Sequence, residues 1–293
     1  MKSLFRFSLA FASFCLAAFP AGASTIANFT DGNGTATPDQ FRGTAGLGWQ
    51  GAWTAAGTAF TDTVTSASPV NGGGNYLSLA LSASGAGTEG RKYGGAGDTV
   101  SLSARQTLSW DFRVDESAAS LTANFNSNTD RYQFFGDSSP LTTSGVTNEW
   151  FIFAAGASLG VAGGTFTALH WEFFSGSTVS TAFTSGTQSD SGITLASGKT
   201  YHFTIDTDPS TKTYVGTVSD GTTSFTSGTL NWRNYSSNPT ASGGVFTAGL
   251  GTSGAGETRS ASLDSVTIVP EPSALSLLAF VGLVGLGRRH RRA

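Results

Sequence analysis

The sequence has 293 residues, of which 12% are aromatic and 12% are charged, and it contains 39 glycines, 22 phenylalanines and 6 tryptophans. So many aromatic residues can bury a large core, which excludes a disordered chain, and few charges with many glycines are typical of an all-β extracellular domain. The formal net charge is −3, and without the six basic residues of the two chain ends 10 basic residues face 19 acidic ones, about −9, which argues against nucleic acid as a partner.

The first segment has the pattern of a secretory signal peptide. Two basic residues precede the uncharged, largely apolar run Phe7–Phe19, and the small residues Ala21 and Ala23 follow it. These are the three features that a signal peptidase requires. We therefore predict a helical signal peptide over residues 1–23, cut by signal peptidase after Ala23. Cys15 is the only cysteine, so the exported part has no disulfide and must be stabilised by a large core or by ions.

The middle of the chain alternates apolar and polar residues with period two, which predicts strands. The alternation is clearest in Thr107–Val114 and recurs in Leu169–Phe174 and in Tyr201–Asp206. The turn residues Asp208–Thr211 then predict a hairpin that returns through Tyr214–Val218. The remaining predicted strands are Asn75–Ser82, Arg131–Phe135, Glu149–Ala154, Val179–Thr184, Gly244–Leu250 and Ser260–Ile268.

A dozen or more strands and no amphipathic helix of normal length predict an all-β fold. We expect a jelly-roll-like antiparallel β-sandwich over residues 24–268, as one domain. The predicted hairpin and closing strand, with the segments Ala27–Gly32 and Gly48–Trp53, resemble concanavalin-like lectin and glucanase modules. This resemblance implies a fold more than a function.

Two pairs of residues are candidates for ligand binding. His170 and Glu172 lie two residues apart on one face of a predicted strand, as acid/base pairs or metal ligands do, and Trp171 between them is a further candidate for ligand contact. The alternative is that they are polar residues on an open sheet face. Asp206 and Asp208 are calcium candidates, although an aspartate that caps its own turn is the alternative. No other cofactor or metal is expected.

No catalytic residue is predicted. Glucanases of the fold that the chain resembles place catalytic carboxylates at alternate positions of one strand, and Glu-x-Asp-x-Glu does not occur here. The nearest candidates are Asp111 with Asp115 and Glu116, and the run His170-Trp171-Glu172. We interpret Asp115 and Glu116 as solvated charges at a strand end. Asp111 is expected to face solvent beside Arg113 or to pair with a cross-strand cation. The sequence therefore favours a protein that is not an enzyme.

The last segment contains Pro270, Glu271 and Pro272, then the apolar run Ala274–Gly287, then a basic cluster made of Arg288, Arg289, Arg291 and Arg292. This order resembles the PEP-CTERM sorting signal. The resemblance implies that residues 269–293 are recognised and cut by an exosortase, a membrane-embedded transpeptidase-like protease, and that the Pro-Glu-Pro triplet is the recognition element.

The apolar run of the tail is short for a membrane span. Its 14 residues form a helix of about 21 Å, against a hydrocarbon core of about 30 Å. We therefore expect a short hydrophobic helix that spans the inner membrane transiently, with the arginines on the cytoplasmic side. A plain C-terminal membrane anchor is the alternative.

Together these features predict an exported protein, associated with the inner membrane before processing and with the cell envelope or extracellular matrix afterwards. We expect a non-catalytic surface or matrix protein that binds polysaccharide and is linked to exopolysaccharide. One alternative is a secreted glycoside hydrolase or lyase of lectin-like fold. The other is a purely structural surface protein without a ligand.

Overall fold

The computed structural model describes residues 25–30, 41, 43, 49–94, 103–137, 148–180, 182–234, 244–254 and 257–270. The predicted signal peptide with Ala21 and Ala23 lies outside the described residues, as do Glu271, Pro272, the apolar run and the terminal arginines. Within the described residues, no helix is both long and apolar enough to cross a membrane.

The described part of the chain is built almost entirely of strands. The first half contains β1 (Thr25–Ala27), β2 (Thr54–Ala56), β3 (Phe60–Ser66), β4 (Asn75–Leu81), β5 (Gly85–Tyr93), β6 (Gln106–Val114), the short helix α1 (Ala118–Asn124), β7 (Arg131–Asp137) and β8 (Asn148–Ala155). The second half contains β9 (Gly163–Gly164), β10 (His170–Ser175), a 3-10 turn (Phe183–Ser185), β11 (Thr187–Thr194), β12 (Thr200–Asp208), β13 (Thr213–Ser219), β14 (Ser224–Thr226), β15 (Leu230–Asn231), β16 (Gly244–Thr252) and β17 (Arg259–Pro270).

The strands form two sheets. The first sheet has the order β14-β13-β12-β6-β17-β4-β3, with β1 beside the end of β17 and β15 beside β13. The second sheet has the order β2-β5-β16-β7-β8-β10-β11-β9. Every described pairing is antiparallel except that of β9 with β11. In the order of the first sheet, the final strand β17 lies in the middle, between β6 and β4.

The core is a layer of aromatic and aliphatic side chains between the two sheets. Strand β6 alternates buried and half-buried residues along its whole length, as its sequence predicts. Its Trp110 ring stacks on Phe203 of the same sheet at 5.2 Å and lies 5.0 Å from Phe134 of the other. Rings from both sheets interdigitate in this way, as in packed β-sandwiches. The predicted antiparallel β-sandwich is confirmed.

A buried ion pair ties the helix α1 to the final strand, and it corrects the expectation that Glu116 is solvated. Arg259 of β17 is fully buried and lies 2.5 Å from Glu116 and 3.4 Å from Asp130. The same guanidinium donates to the carbonyl of Asn124 at the end of α1 and covers the Phe125 ring at 4.1 Å. Glu116 is buried because this arginine needs a carboxylate partner out of water.

Two predicted elements differ from the structure. The predicted strand Val179–Thr184 is wrong, since Val179 is 92% exposed and the chain forms a 3-10 turn nearby. The closing strand continues past the predicted Ile268 to Pro270, which is paired with Gln106 of β6. A proline fits the last ladder position because no further backbone donor is needed there.

Candidate functional site

The outer face of the second sheet carries a cluster of polar side chains around Asp190. Asp190 on β11 lies opposite Glu172 on β10. It accepts hydrogen bonds from the Thr167 hydroxyl at 2.5 Å and from the Gly192 backbone at 2.7 Å, and lies 2.9 Å from Nδ1 of His170. Burial alone would raise the pKa of Asp190, but these hydrogen bonds outweigh it and lower the pKa. Asp190 is therefore ionised at neutral pH.

Glu172 has the opposite character. The segment before β10 covers it, because Phe166 packs on the aromatic cluster of this outer face and Thr167 donates its backbone N–H to Glu172 at 3.0 Å. The side chain is fully buried. Burial, together with the charge of Asp190, raises the pKa of Glu172 to about 8 despite the Thr167 hydrogen bond. Glu172 is therefore protonated at neutral pH, and its side chain is not exposed to solvent.

A shallow groove runs along β11, with the β13–β14 hairpin of the first sheet on its other side. It consists of two adjoining depressions of about 690 and 290 Å³, both of which include Gly192. We call this the β11 groove. The residues that line the larger depression include Thr165, Gln188, Ser189 and Asp190. The groove can therefore offer several hydrogen-bond acceptors and hydroxyl groups to a ligand that runs along the strand.

Two side chains give the larger depression specific binding potential. Gln188 is 4% exposed, and its carbonyl oxygen Oε1 has no hydrogen-bond partner among the described residues. A buried acceptor without a donor costs free energy, so rotation of the Gln188 side chain toward a ligand hydroxyl in the depression would be favourable. Opposite it, Phe225 is half-buried and packs on Phe173 at 5.6 Å between ring centroids. Its remaining surface can take the apolar face of a sugar ring.

The smaller depression contains an ion pair. Lys199 Nζ lies 3.2 Å from Asp220, and both residues line the depression. The backbone N–H groups of Thr223 and Thr222 hold the pKa of Asp220 at about 2. Both carboxyl groups that line the groove, Asp190 and Asp220, are thus ionised at neutral pH.

Of the three residues predicted to bind a ligand, the fold brings His170 and Glu172 into one cluster but not Trp171. His170 and Glu172 meet through Asp190 and Thr167, as described above. Trp171 was expected to contact ligand, and the structure corrects this: it is fully buried, 4.8 Å from the Phe203 ring. The physical reason is that neighbouring residues of a strand point to opposite faces, so Trp171 points into the core.

The calcium candidates have other partners. Asp206 accepts from the Thr107 hydroxyl at 2.6 Å, and Asp208 accepts from the Ser210 backbone at 2.9 Å, which caps the turn of the hairpin. No cluster of three or more metal-ligating side chains occurs in the described part of the chain. Calcium binding stays a prediction. The other expected charge, Asp111, pairs across the strands with His202 at 2.7 Å.

Sequence reasoning missed three residues of the groove. Gln188, Asp190 and Phe225 lie in short or polar strands, and their sequences have no apolar alternation. Only the neighbouring His170 and Glu172 gave a signal, because they follow the strong pattern of β10.

Comparison with known proteins identifies the end of the chain. Residues 269–292 match the family model of the PEP-CTERM protein-sorting motif. This motif indicates export and sorting by an exosortase, which confirms the resemblance seen in the sequence. No curated protein matches the chain.

The solved structures that the chain resembles include a sialidase, with 11% identity and a TM-score of 0.50 over 86% of this chain. The chain spans only 19% of that sialidase. The match to peanut lectin covers 85% of this chain and 99% of the lectin chain, with 14% identity and a TM-score of 0.45. The match to an alginate lyase from Klebsiella pneumoniae covers 86% of this chain and 96% of the lyase chain, with 11% identity and a TM-score of 0.44. The two packed sheets of this chain form a β-sandwich whose last strand continues into a PEP-CTERM protein-sorting motif.

Proposed function

We propose that this protein is an exported, envelope-sorted surface or matrix protein that binds a neutral polysaccharide in the β11 groove. The observation that carries the binding function is the unpartnered carbonyl oxygen of Gln188, a residue that lines that groove. Sugar hydroxyl groups are donors that suit this acceptor. The half-buried Phe225 supplies a stacking surface in the same depression.

The charges of the groove favour a neutral ligand. Asp190 and Asp220 are both ionised, and the basic side chains of His170 and Lys199 that face them already contact these carboxylates. An anionic polysaccharide would meet like charge without a free cation from these groups. A neutral chain of hexoses or related sugars meets no such repulsion.

The same charges support a role without catalysis. A glycoside hydrolase needs one protonated and one ionised carboxyl group in contact with the sugar. In the groove, both Asp190 and Asp220 are ionised, and the protonated Glu172 is fully buried. We therefore place glycoside hydrolase or lyase activity second, and a structural role without ligand third.

The sorting motif supplies the proposed localisation. We propose that the chain is attached to the inner membrane through its tail until exosortase acts, and that the sandwich then passes to the cell envelope or matrix. A link to exopolysaccharide follows if the ligand of the groove is the polysaccharide of that matrix.

The test is a glycan array probed with the processed protein purified from the envelope. We expect binding to neutral polysaccharide, and we expect Gln188→Met to weaken it roughly 2- to 13-fold, because one hydrogen bond of about 0.5–1.5 kcal/mol is lost. Gln133→Met is the matched control, since Gln133 is a buried glutamine of the same sheet on β7. Equal weakening by both variants, or no binding by the wild type, would contradict the proposal, and release of reducing ends would point to an enzyme.

A further inference from the structure

The strand that leads into the sorting motif is held inside the sandwich up to its last residue. Strand β17 pairs with β6 as far as Pro270, which lies opposite Gln106. Pro270 itself is buried. Val266 and Ile268, just before it, are fully buried in the core. The first residue of the Pro-Glu-Pro triplet is therefore part of the fold.

The N-terminal strand closes the other side of the same segment. The three residues of β1 pair with Ile268, Thr267 and Val266. The backbone of β1 is fixed in turn by the Trp49 indole, which donates to the carbonyl of Ile26 at 3.1 Å. Thr267 and Ile268 thus have a paired strand on both sides, β6 and β1, and the pairing with β6 continues to Pro270.

A protease that contacted Pro270 would have to open this part of the sheet. Proteases bind their substrates as extended backbone, and the backbone here is already paired with β6. Opening it would expose Val266 and Ile268, and each such side chain contributes about 1.5–3 kcal/mol when buried. Only three residues, at most about 11 Å of extended chain, separate Pro270 from the apolar run that begins at Ala274. The chain offers little slack to avoid this cost.

We propose that the sorting triplet is divided between two tasks, with Pro270 ending the core strand and Glu271 and Pro272 alone contacting the sorting enzyme. The inference rests on the proposed sorting of this chain. It places the cut after Glu271 or a later residue, because a cut directly after Pro270 would require the enzyme to contact the Pro270 carbonyl. There the bond between a carbonyl carbon and the next nitrogen breaks, the acyl group passes to water or to an acceptor amine, and the leaving amine takes up a proton.

The test compares single alanine variants in cells that contain the exosortase. We expect Pro270→Ala to be processed to the same extent as the wild type, because alanine is accommodated at a strand end. Glu271→Ala and Pro272→Ala should accumulate with the tail attached, with at least a 10-fold loss of processed protein. Thermal unfolding of all three variants checks that the sandwich is intact.

Mass spectrometry of the processed C-terminus completes the test. We expect the retained chain to end at Glu271 or later, with a mass that distinguishes water from an amine as acceptor. A block of processing by Pro270→Ala in a folded protein, or a terminus at Pro270 or earlier, would overturn the division of the triplet. A wild-type chain that keeps its tail would overturn the proposed sorting together with this inference.

Discussion

Glu172 is the residue whose burial has the clearest measurable consequence. Its pKa is raised to about 8, whereas a carboxyl group of the unfolded chain titrates near 4.3. Between these values the folded protein keeps a proton that the unfolded chain releases. The free energy of unfolding therefore falls as the pH rises from about 4 to about 8, and levels off above that.

Glu172→Gln removes this titration while keeping an oxygen that accepts the Thr167 hydrogen bond. We expect the variant and the wild type to unfold at similar temperatures near pH 4, and the variant to be more stable at pH 9 by roughly 5–10 °C, which corresponds to a few kcal/mol. Thermal unfolding followed by circular dichroism at both pH values measures this. A difference between the two proteins that does not depend on pH would contradict the raised pKa.

Individual residues show how far the sequence leads toward the site. His170 and Glu172 were found because they lie in a strand with a strong apolar pattern. Their partner Asp190 was not predicted from the sequence. It is 18 or more residues away along the chain and contacts them only because β10 pairs with β11. Burial of Glu172 also depends on Phe166 and Thr167, whose position no local pattern specifies.

At the scale of elements, strands with an aromatic alternation were predicted and polar strands were not. The bounds of β4, β6, β12 and β13 agree with prediction within two residues. Strand β11 was missed because its sequence, TQSDSGIT, has almost no apolar residues and is typical of a loop. It is a strand because pairing with β10 satisfies its backbone hydrogen bonds.

The attachment of α1 depends on one side chain, Arg259, which joins the helix to β17 and β16. It donates to the carbonyls of Asn124 and Gly251 and pairs with Glu116. Arg259→Met keeps much of the side-chain volume but leaves buried carboxylates without their cation. We expect a loss of about 3–5 kcal/mol in the free energy of unfolding, measured by urea denaturation.

The matched control for this variant is Arg113→Met. Arg113 is half-exposed and pairs with Asp115 on the surface of the first sheet, where such a pair contributes up to about 1 kcal/mol. Equal losses from the two substitutions would show that the buried network does not stabilise the sandwich more than a surface pair does.

On the scale of the whole molecule, the first and the last described strands lie side by side. Thr25 of β1 faces Ile268 of β17, so the strand that follows the predicted signal peptide is paired with the strand that precedes the sorting motif. This proximity could not be predicted from sequence, because it requires the path of every strand between them. The signal peptide and the sorting motif could be predicted from sequence, because each has a characteristic order of basic, apolar and small or proline residues.

The most direct test of export and sorting is the intact mass of the wild-type protein isolated from the envelope. We expect a chain that begins near Ser24 and lacks the arginine cluster at the C-terminus, in cells with an active exosortase. The same protein from cells without the enzyme should have the same N-terminus and retain the tail. A mass that includes the four terminal arginines in both cell types would contradict sorting of this β-sandwich through its PEP-CTERM motif.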